Sequence, residues 1–175
     1  NEQRKDIDKQ MTIEANEIVA RLESQQHMSS IVLYDEGWKK GVVGIVASRL
    51  TEIYYRPTVV LTIIDGIATG SARSVAGFDI YDAIKNCRDI LENFGGHTYA
   101  VGLTLRQENI PEFRRRFQEY VKQHILPEQT LPTLDIDEEI DFKDITKRLH
   151  GDLRKLAPHG PANEKPLFLT RNVYD

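Results

Sequence analysis

Thr58-Val59-Val60-Leu61-Thr62-Ile63-Ile64-Asp65-Gly66-Ile67-Ala68-Thr69-Gly70-Ser71-Ala72-Arg73 decides the fold. Runs of strand-forming residues flank Asp65-Gly66, a two-residue step that favours a tight hairpin. The stretch predicts strands over 58–63 and 67–73. Side chains alternate across a strand, so Ser71 and Arg73 leave on the same side. A hydroxyl and a planar fork of guanidinium donors together match phosphate oxygens. Taken alone, Arg73 reads as a solvated surface arginine.

Upstream, Ile31-Val32-Leu33-Tyr34 is a short strand. Asp35–Gly41 is a loop carrying Trp38, Lys39 and Lys40, and residues 42–54 form a helix that Pro57 stops. Strand, glycine loop and helix is a setting in which helix N-termini bind anions. The Gly-Lys-Ser/Thr ending of a Walker loop is missing. Arg49 sits near the middle of this helix, on a face the sequence does not assign. Further back, Ile7, Met11, Ala15, Ile18 and Leu22 recur at steps of three and four and predict a helix over 6–25. It reads as a connector from something upstream, with partner-helix contact as the alternative.

Downstream, Asp79 caps a helix. Its stripe of Ile80, Ala83, Ile84, Cys87, Leu91 and Phe94 leads to Gly95-Gly96-His97. Paired glycines let a backbone come close to a ligand, and His97 can donate to the same oxygens as Arg73 or act as an acid. In the plainer reading Gly95 is a C-cap, Gly96 a turn residue and His97 a capping or surface histidine. Ala100 to Leu105 alternates as another strand. Asn109 caps a further helix with Phe113, Phe117, Tyr120 and Val121 inward and Arg114, Arg115 and Arg116 on its solvated face. Residues 127–132 form a linker. Thr133 to Ile140 reads as an acidic strand whose Asp135, Asp137, Glu139 and Asp141 suit a charged edge better than a metal site. Ile145, Leu149, Leu153 and Leu156 predict a helix, 157–163 a rigid loop and 167–172 a last strand.

The 175 residues, 40% of them apolar, fit one domain plus an appendage. The single cysteine, Cys87, excludes an internal disulfide and reads as a buried structural thiol. No apolar run approaches the ~20 residues of a membrane span, and a cytoplasmic protein is the default expectation. The net charge of −4 argues against a generic nucleic-acid coat. Yet Lys39, Lys40, Arg49, Arg56 and Arg73 outnumber Glu36, Glu52 and Asp65 between positions 36 and 74, so a groove there can be locally positive.

In this order the chain resembles the RecJ family of single-stranded-DNA exonucleases. Trp38-x-x-Gly41-Val42-Val43-Gly44-Ile45-Val46-Ala47-Ser48-Arg49-Leu50 is similar to that family's most recognisable block. Arg56-Pro57-Thr58, Gly70-Ser71-Ala72-Arg73-Ser74, Gly77-Phe78-Asp79 and Phe94-Gly95-Gly96-His97 follow in the family's order. Leu156-x-Pro158-x-Gly160-Pro161-x-Asn163 resembles the start of its OB-type region. The resemblance implies an α/β fold: a mixed β-sheet flanked by helices, the DHH-associated domain, over 29–127. A connector helix over 1–28 precedes it, and an incomplete OB-type segment over 128–175 follows. It also implies an N-terminal DHH domain that holds Mn2+ or Mg2+ and is missing here. The chain is then expected to be the substrate-binding part of a 5′-to-3′ exonuclease of DNA repair and recombination, inactive by itself and holding no metal.

By the same resemblance Ser71, Arg73, Gly95, Gly96 and His97 hold phosphate oxygens and Arg49 positions the strand, with Lys39 and Lys40 as further candidates. The family usually has His after the Trp. This chain has Lys39, so a phosphate donor survives there but a neutral imidazole does not. Expected partners are single-stranded DNA, with a single-strand-binding protein or a helicase beside it, and no membrane. The alternatives are a small DHH phosphoesterase acting on oligonucleotides or pAp, an RNA-binding module like the C-terminal domain of alanyl-tRNA synthetases, and a plain interaction domain.

Overall fold

A computed structural model describes residues 2–24, 28–160 and 162–173. Asn1, Gln25 and Pro161, which the sequence readings above include, lie outside the described residues. Two compact units follow one another, residues 1–132 and 133–175.

The first unit is built on a five-stranded mixed sheet. Its strands are β1 (Ile31–Asp35), β2 (Thr58–Ile64), β3 (Ile67–Arg73), β4 (Asn93–His97) and β5 (Ala100–Arg106), in the order β1-β2-β3-β5-β4. The β1–β2 pair is parallel and every other pair antiparallel. The Asp65-Gly66 hairpin forms as its dipeptide predicts, with Ile64 opposite Ile67. The helices are α1 (Glu2–Glu23), α2 (Val43–Tyr54), α3 (Ile80–Lys85) and α4 (Ile110–His124).

Alternation along the strands divides the sheet into two unlike faces. Val59, Leu61, Ala72, Val101 and Leu103 point to one side and join Ile80, Ile84, Phe113, Phe117 and Val121 in a core under α3 and α4. Ile31, Leu33 and Val60 point to the other side, where Val43, Val46, Ala47 and Leu50 of α2 and Met11, Ala15 and Val19 of α1 cover them. The expected connector helix is therefore packed on the domain through the centre of its apolar stripe.

Several local expectations are corrected. The helix after Asp79 stops at Lys85 instead of running to Phe94, and a single turn of 3-10 helix follows at Arg88–Ile90. Asn93–His97 is then strand β4, paired with β5, so Gly95 is not a C-cap. Apolar spacing alone carried the helical pattern too far. Two consecutive glycines are poor helix formers, and β5 offers them ladder partners. Asp79 does cap α3, accepting from the amides of Tyr81 and Asp82. Asn109 does not cap α4. Its Nδ2 instead donates to the Ile90 carbonyl at 3.1 Å.

Cys87 is fully buried, as the sequence predicts, and burial pushes its thiol up to about 11. The three arginines of α4 are spoken for. Arg115 and Arg116 pair with Glu112, and Arg116 also with Asp89. Arg114 is not solvated as expected: it donates to the Val32 carbonyl and lies over the Tyr34 ring.

The second unit holds β6 (Glu138–Glu139), α5 (Lys147–Arg154) and β7 (Phe168–Leu169). Its strands pair in parallel for two residues each, shorter than the expected 133–140 and 167–172. Thr146 caps α5 by accepting from the Leu149 amide. Asp137 Oδ2 accepts from the Leu167 amide and Glu139 pairs with Arg171, so these acids serve the strand pair. No helix among the described residues is long and apolar enough to cross a membrane.

Candidate nucleic-acid interface

Strand register brings four of the expected site residues, Ser71, Arg73, Gly95 and His97, onto one face and turns Gly96, paired with Val101, to the other. Thr58, Arg73, Ala100 and His97 form one row across β2, β3, β5 and β4. Val60, Ser71, Gly102 and Gly95 form the next row, and Thr62, Thr69, Thr104 and Asn93 a third. Paired residues share a face and alternate residues repeat it. Ser71, Arg73, Gly95 and His97 therefore all lie on the α2 side of the sheet. Helix α2 covers this side only over the first strands. Beyond it the face is polar and small: Thr69, Ser71 and Arg73, then Ala100, Gly102 and Thr104, then Gly95 and His97. Arg73 and His97 stand two strand spacings apart, roughly 10 Å. Between them Ala100 and Gly102 carry at most a methyl group, which leaves a shallow trough.

The wall of the trough is α2. Where it meets β3, an open groove of about 620 Å³ is lined by Arg4, Lys40, Gly44, Ser48, Arg49, Glu52, Thr69, Ser71 and Arg73 among others. Four of these side chains are cationic and one, Glu52, is acidic. Arg73 makes the most hydrogen bonds of these cations among the described residues. Its Nε donates to Ser48 Oγ at 3.1 Å, and its Nη1 to the Ala72 carbonyl at 2.8 Å and to Ser71 Oγ. Gly44 makes room for it, since a Cβ there would lie 3.2 Å from Arg73 Nη2. Every partner is neutral, and among the described residues no carboxylate lies within ion-pair distance of Arg73. Burial alone pulls its guanidinium below the usual arginine range. A half-buried cation held by neutral groups, with Nη2 free of protein partners among the described residues, is poised to take an anion.

Arg49 is placed differently. It lines the groove but is tied at 2.7 Å to Asp8 of α1, a carboxylate whose side chain is 9% exposed. It therefore joins the connector helix to the groove wall. Lys40 lines the groove, whereas Lys39 lines a separate cleft with Asp6, Glu14 and Trp38. Trp38 is buried, and its Nε1 donates to Glu14 Oε2 at 3.0 Å.

The two glycines of β4 differ. A Cβ on Gly95 would meet nothing within 4 Å. Gly96 has φ +154° and a Cβ there would strike the Ala100 carbonyl oxygen, so only glycine keeps β4 seated on β5. His97 Nδ1 accepts from the Tyr99 amide at 3.3 Å, which in the neutral ring puts the proton on Nε2, a donor with no partner among the described residues.

Thr69, Ser48 and Arg4 are among the lining residues that sequence reasoning missed. Thr69 carried a signal, since it continues the two-residue polar period of Ser71 and Arg73. Ser48 and Arg4 carried none: Ser48 depends on how α2 turns, and Arg4 reaches the site by donating to the Gly41 carbonyl at 3.0 Å from α1. The groove does not suit a divalent cation, because Glu52 is its one acidic lining residue. Among the described residues no three or more His, Cys, Asp or Glu are grouped as a metal site would need.

The DHHA1 domain family matches residues 13–123, and the RecJ OB domain family matches residues 136–174. The single-stranded-DNA-specific exonuclease RecJ of Bacillus subtilis is 40% identical over 175 residues, covering 99% of this chain and 22% of that protein. The RecJ of Escherichia coli is 31% identical, covering 96% of this chain and 30% of that protein. The crystal structure of Thermus thermophilus RecJ in complex with Mg2+ superposes with a TM-score of 0.80 at 26% identity, over 96% of this chain and 25% of that one. A second structure of that protein contains Mn2+ and superposes equally well, with a TM-score of 0.80. The chain thus spans less than a third of the length of these relatives.

Proposed function

Because the chain belongs to the DHHA1 domain family and corresponds to the DHHA1–OB part of RecJ exonucleases, we propose that its half-covered sheet face grips the phosphodiester backbone of single-stranded DNA. Ser71 and Arg73 take phosphate oxygens from one side of the trough and His97 Nε2 from the other. Gly95 lets the strand approach the backbone of β4, and Lys40 and Arg4 add positive potential along α2. Arg49 acts mainly by fixing α1 against the groove. The relatives named as single-stranded-DNA-specific exonucleases, with Thermus thermophilus structures holding Mg2+ or Mn2+, support a role as the substrate-holding part of a metal-dependent exonuclease. The groove's own donors are cations and hydroxyls, so bond cleavage is assigned to no residue of this chain.

The observation that carries this reading is Arg73: a half-buried guanidinium with three neutral hydrogen-bond acceptors around it and, among the described residues, no carboxylate partner. A charge-assisted hydrogen bond contributes about 1.5–3 kcal/mol, so Arg73→Ala is expected to weaken binding of a labelled single-stranded oligonucleotide roughly 30-fold. Arg116→Ala, which removes a cation already paired with Glu112 and Asp89, is expected to change it less than about twofold. Fluorescence anisotropy at fixed salt measures both. Equal losses would mean diffuse electrostatics and would end the site assignment.

A further inference from the structure

The Tyr99 amide orients His97, but its side chain has no part in the phosphate site and is well placed to meet what a phosphate carries with it. It lies in the two-residue turn between β4 and β5, next to the row that joins His97, Ala100 and Arg73. Its side chain is a large aromatic ring with a polar tip, and the residue is 57% exposed. The backbone that carries the ring is tightly held. The Tyr99 amide donates to His97 Nδ1, its carbonyl accepts from the Ser74 amide at 3.1 Å, and the neighbouring Thr98 carbonyl accepts from the Ile80 amide at 3.1 Å. The turn is thus anchored both to the strand end that bears Arg73 and to the start of α3. The ring stands at 69° to the His97 ring with centroids 6.3 Å apart, so the histidine does not stack flat on it. By contrast Tyr34, also exposed, already has Arg114 over its ring at 5.4 Å.

We propose that Tyr99 is a stacking platform for an unpaired nucleobase whose phosphate is held between Arg73 and His97. The proposal rests on the phosphate reading above. Stacking needs a rigid ring with an open face and no particular hydrogen-bond pattern, because every base has a π-face. A ring that extends the phosphate row at the turn gives the trough a base end. It also favours a single strand over a duplex, because a base paired and stacked inside a helix cannot present its face to a tyrosine.

The test compares two labelled oligomers of equal length and phosphate count, an oligo-dT and a fully abasic deoxyribose-phosphate chain. Binding to the intact chain is measured at fixed salt, with thermal melting to confirm folding. The wild type is expected to prefer oligo-dT. Tyr99→Ala should weaken oligo-dT about tenfold and leave the abasic oligomer unchanged, and Tyr99→Phe should restore binding to within about twofold. Arg73→Ala should weaken both oligomers alike. If Tyr99→Ala weakens both equally, or neither, the platform is overturned while the Arg73 result still stands or falls independently. If neither oligomer binds the wild type, both readings are overturned together.

Discussion

The two faces of one sheet do opposite jobs. On the α3/α4 side, Val59, Leu61, Ala72, Val101 and Leu103 are almost wholly buried and meet two stacked phenylalanines, Phe113 and Phe117, whose centroids are 5.7 Å apart. On the α2 side the same strands carry Thr69, Ser71, Arg73, Gly102 and Thr104 one position along, and these are left for solvent or a ligand. A period of two makes both faces from the same fourteen residues of β3 and β5. Over β3 and β5 the buried packing is on one side, which frees the other to be chemically specific, while on the α2 side the packed core is confined to β1 and β2.

The sharpest break of this comparison is a core truncation. Phe117→Ala is expected to cost about 3–5 kcal/mol of unfolding free energy, read by urea denaturation. Ser71→Ala on the open face should cost less than about 1 kcal/mol yet weaken oligonucleotide binding. If the two changes cost the same stability, the faces are not divided as described.

A smaller effect tests the seam at β4. Gly96→Ala forces a side chain onto a backbone with φ +154° and against the Ala100 carbonyl. Such strain costs about 1–3 kcal/mol, and β4 should loosen from β5, seen as faster amide exchange at Gly96 and His97. Gly95→Ala meets open space and should leave stability within about 0.5 kcal/mol while still weakening binding. Stability losses of similar size at both glycines would show that Gly95 serves the fold and not the ligand.

The hairpin and its polar face were legible in the sequence because their causes are local. Asp65-Gly66 fixes the turn, and a two-residue period fixes which side Ser71 and Arg73 share. Strand β4 was not legible. Ile80, Ile84, Cys87, Leu91 and Phe94 happen to keep a helical spacing, and nothing local says that Phe94-Gly95-Gly96 will pair with Val101–Leu103 instead. His97 could be named as a candidate from its neighbours, but its place in the row of Arg73 depends on that pairing. The tie from Arg49 to Asp8 is non-local as well, since it follows from how α1 lies on α2. Motif order carried the family resemblance, because residue types that hold phosphate can be recognised even when the element beneath them is misread.

The smallest expected effect concerns how Arg73 is held rather than what it touches. Ser48 Oγ accepts from Arg73 Nε while donating to the Gly44 carbonyl at 3.1 Å, so its hydroxyl passes the orientation of α2 to the guanidinium. Ser48→Ala removes that anchor and leaves the charge. One hydrogen bond contributes about 1 kcal/mol, so affinity for oligo-dT should fall about fivefold. The charge count at the interface is unchanged, so the slope of log affinity against log salt should stay as in the wild type. Arg73→Ala, which removes a phosphate contact, should reduce that slope by about one. A reduced slope in Ser48→Ala would mean that the serine helps bind phosphate directly. No loss of affinity would mean that Ser71 and the Ala72 carbonyl suffice to hold the arginine, and that the α2 wall bounds the trough without ordering it.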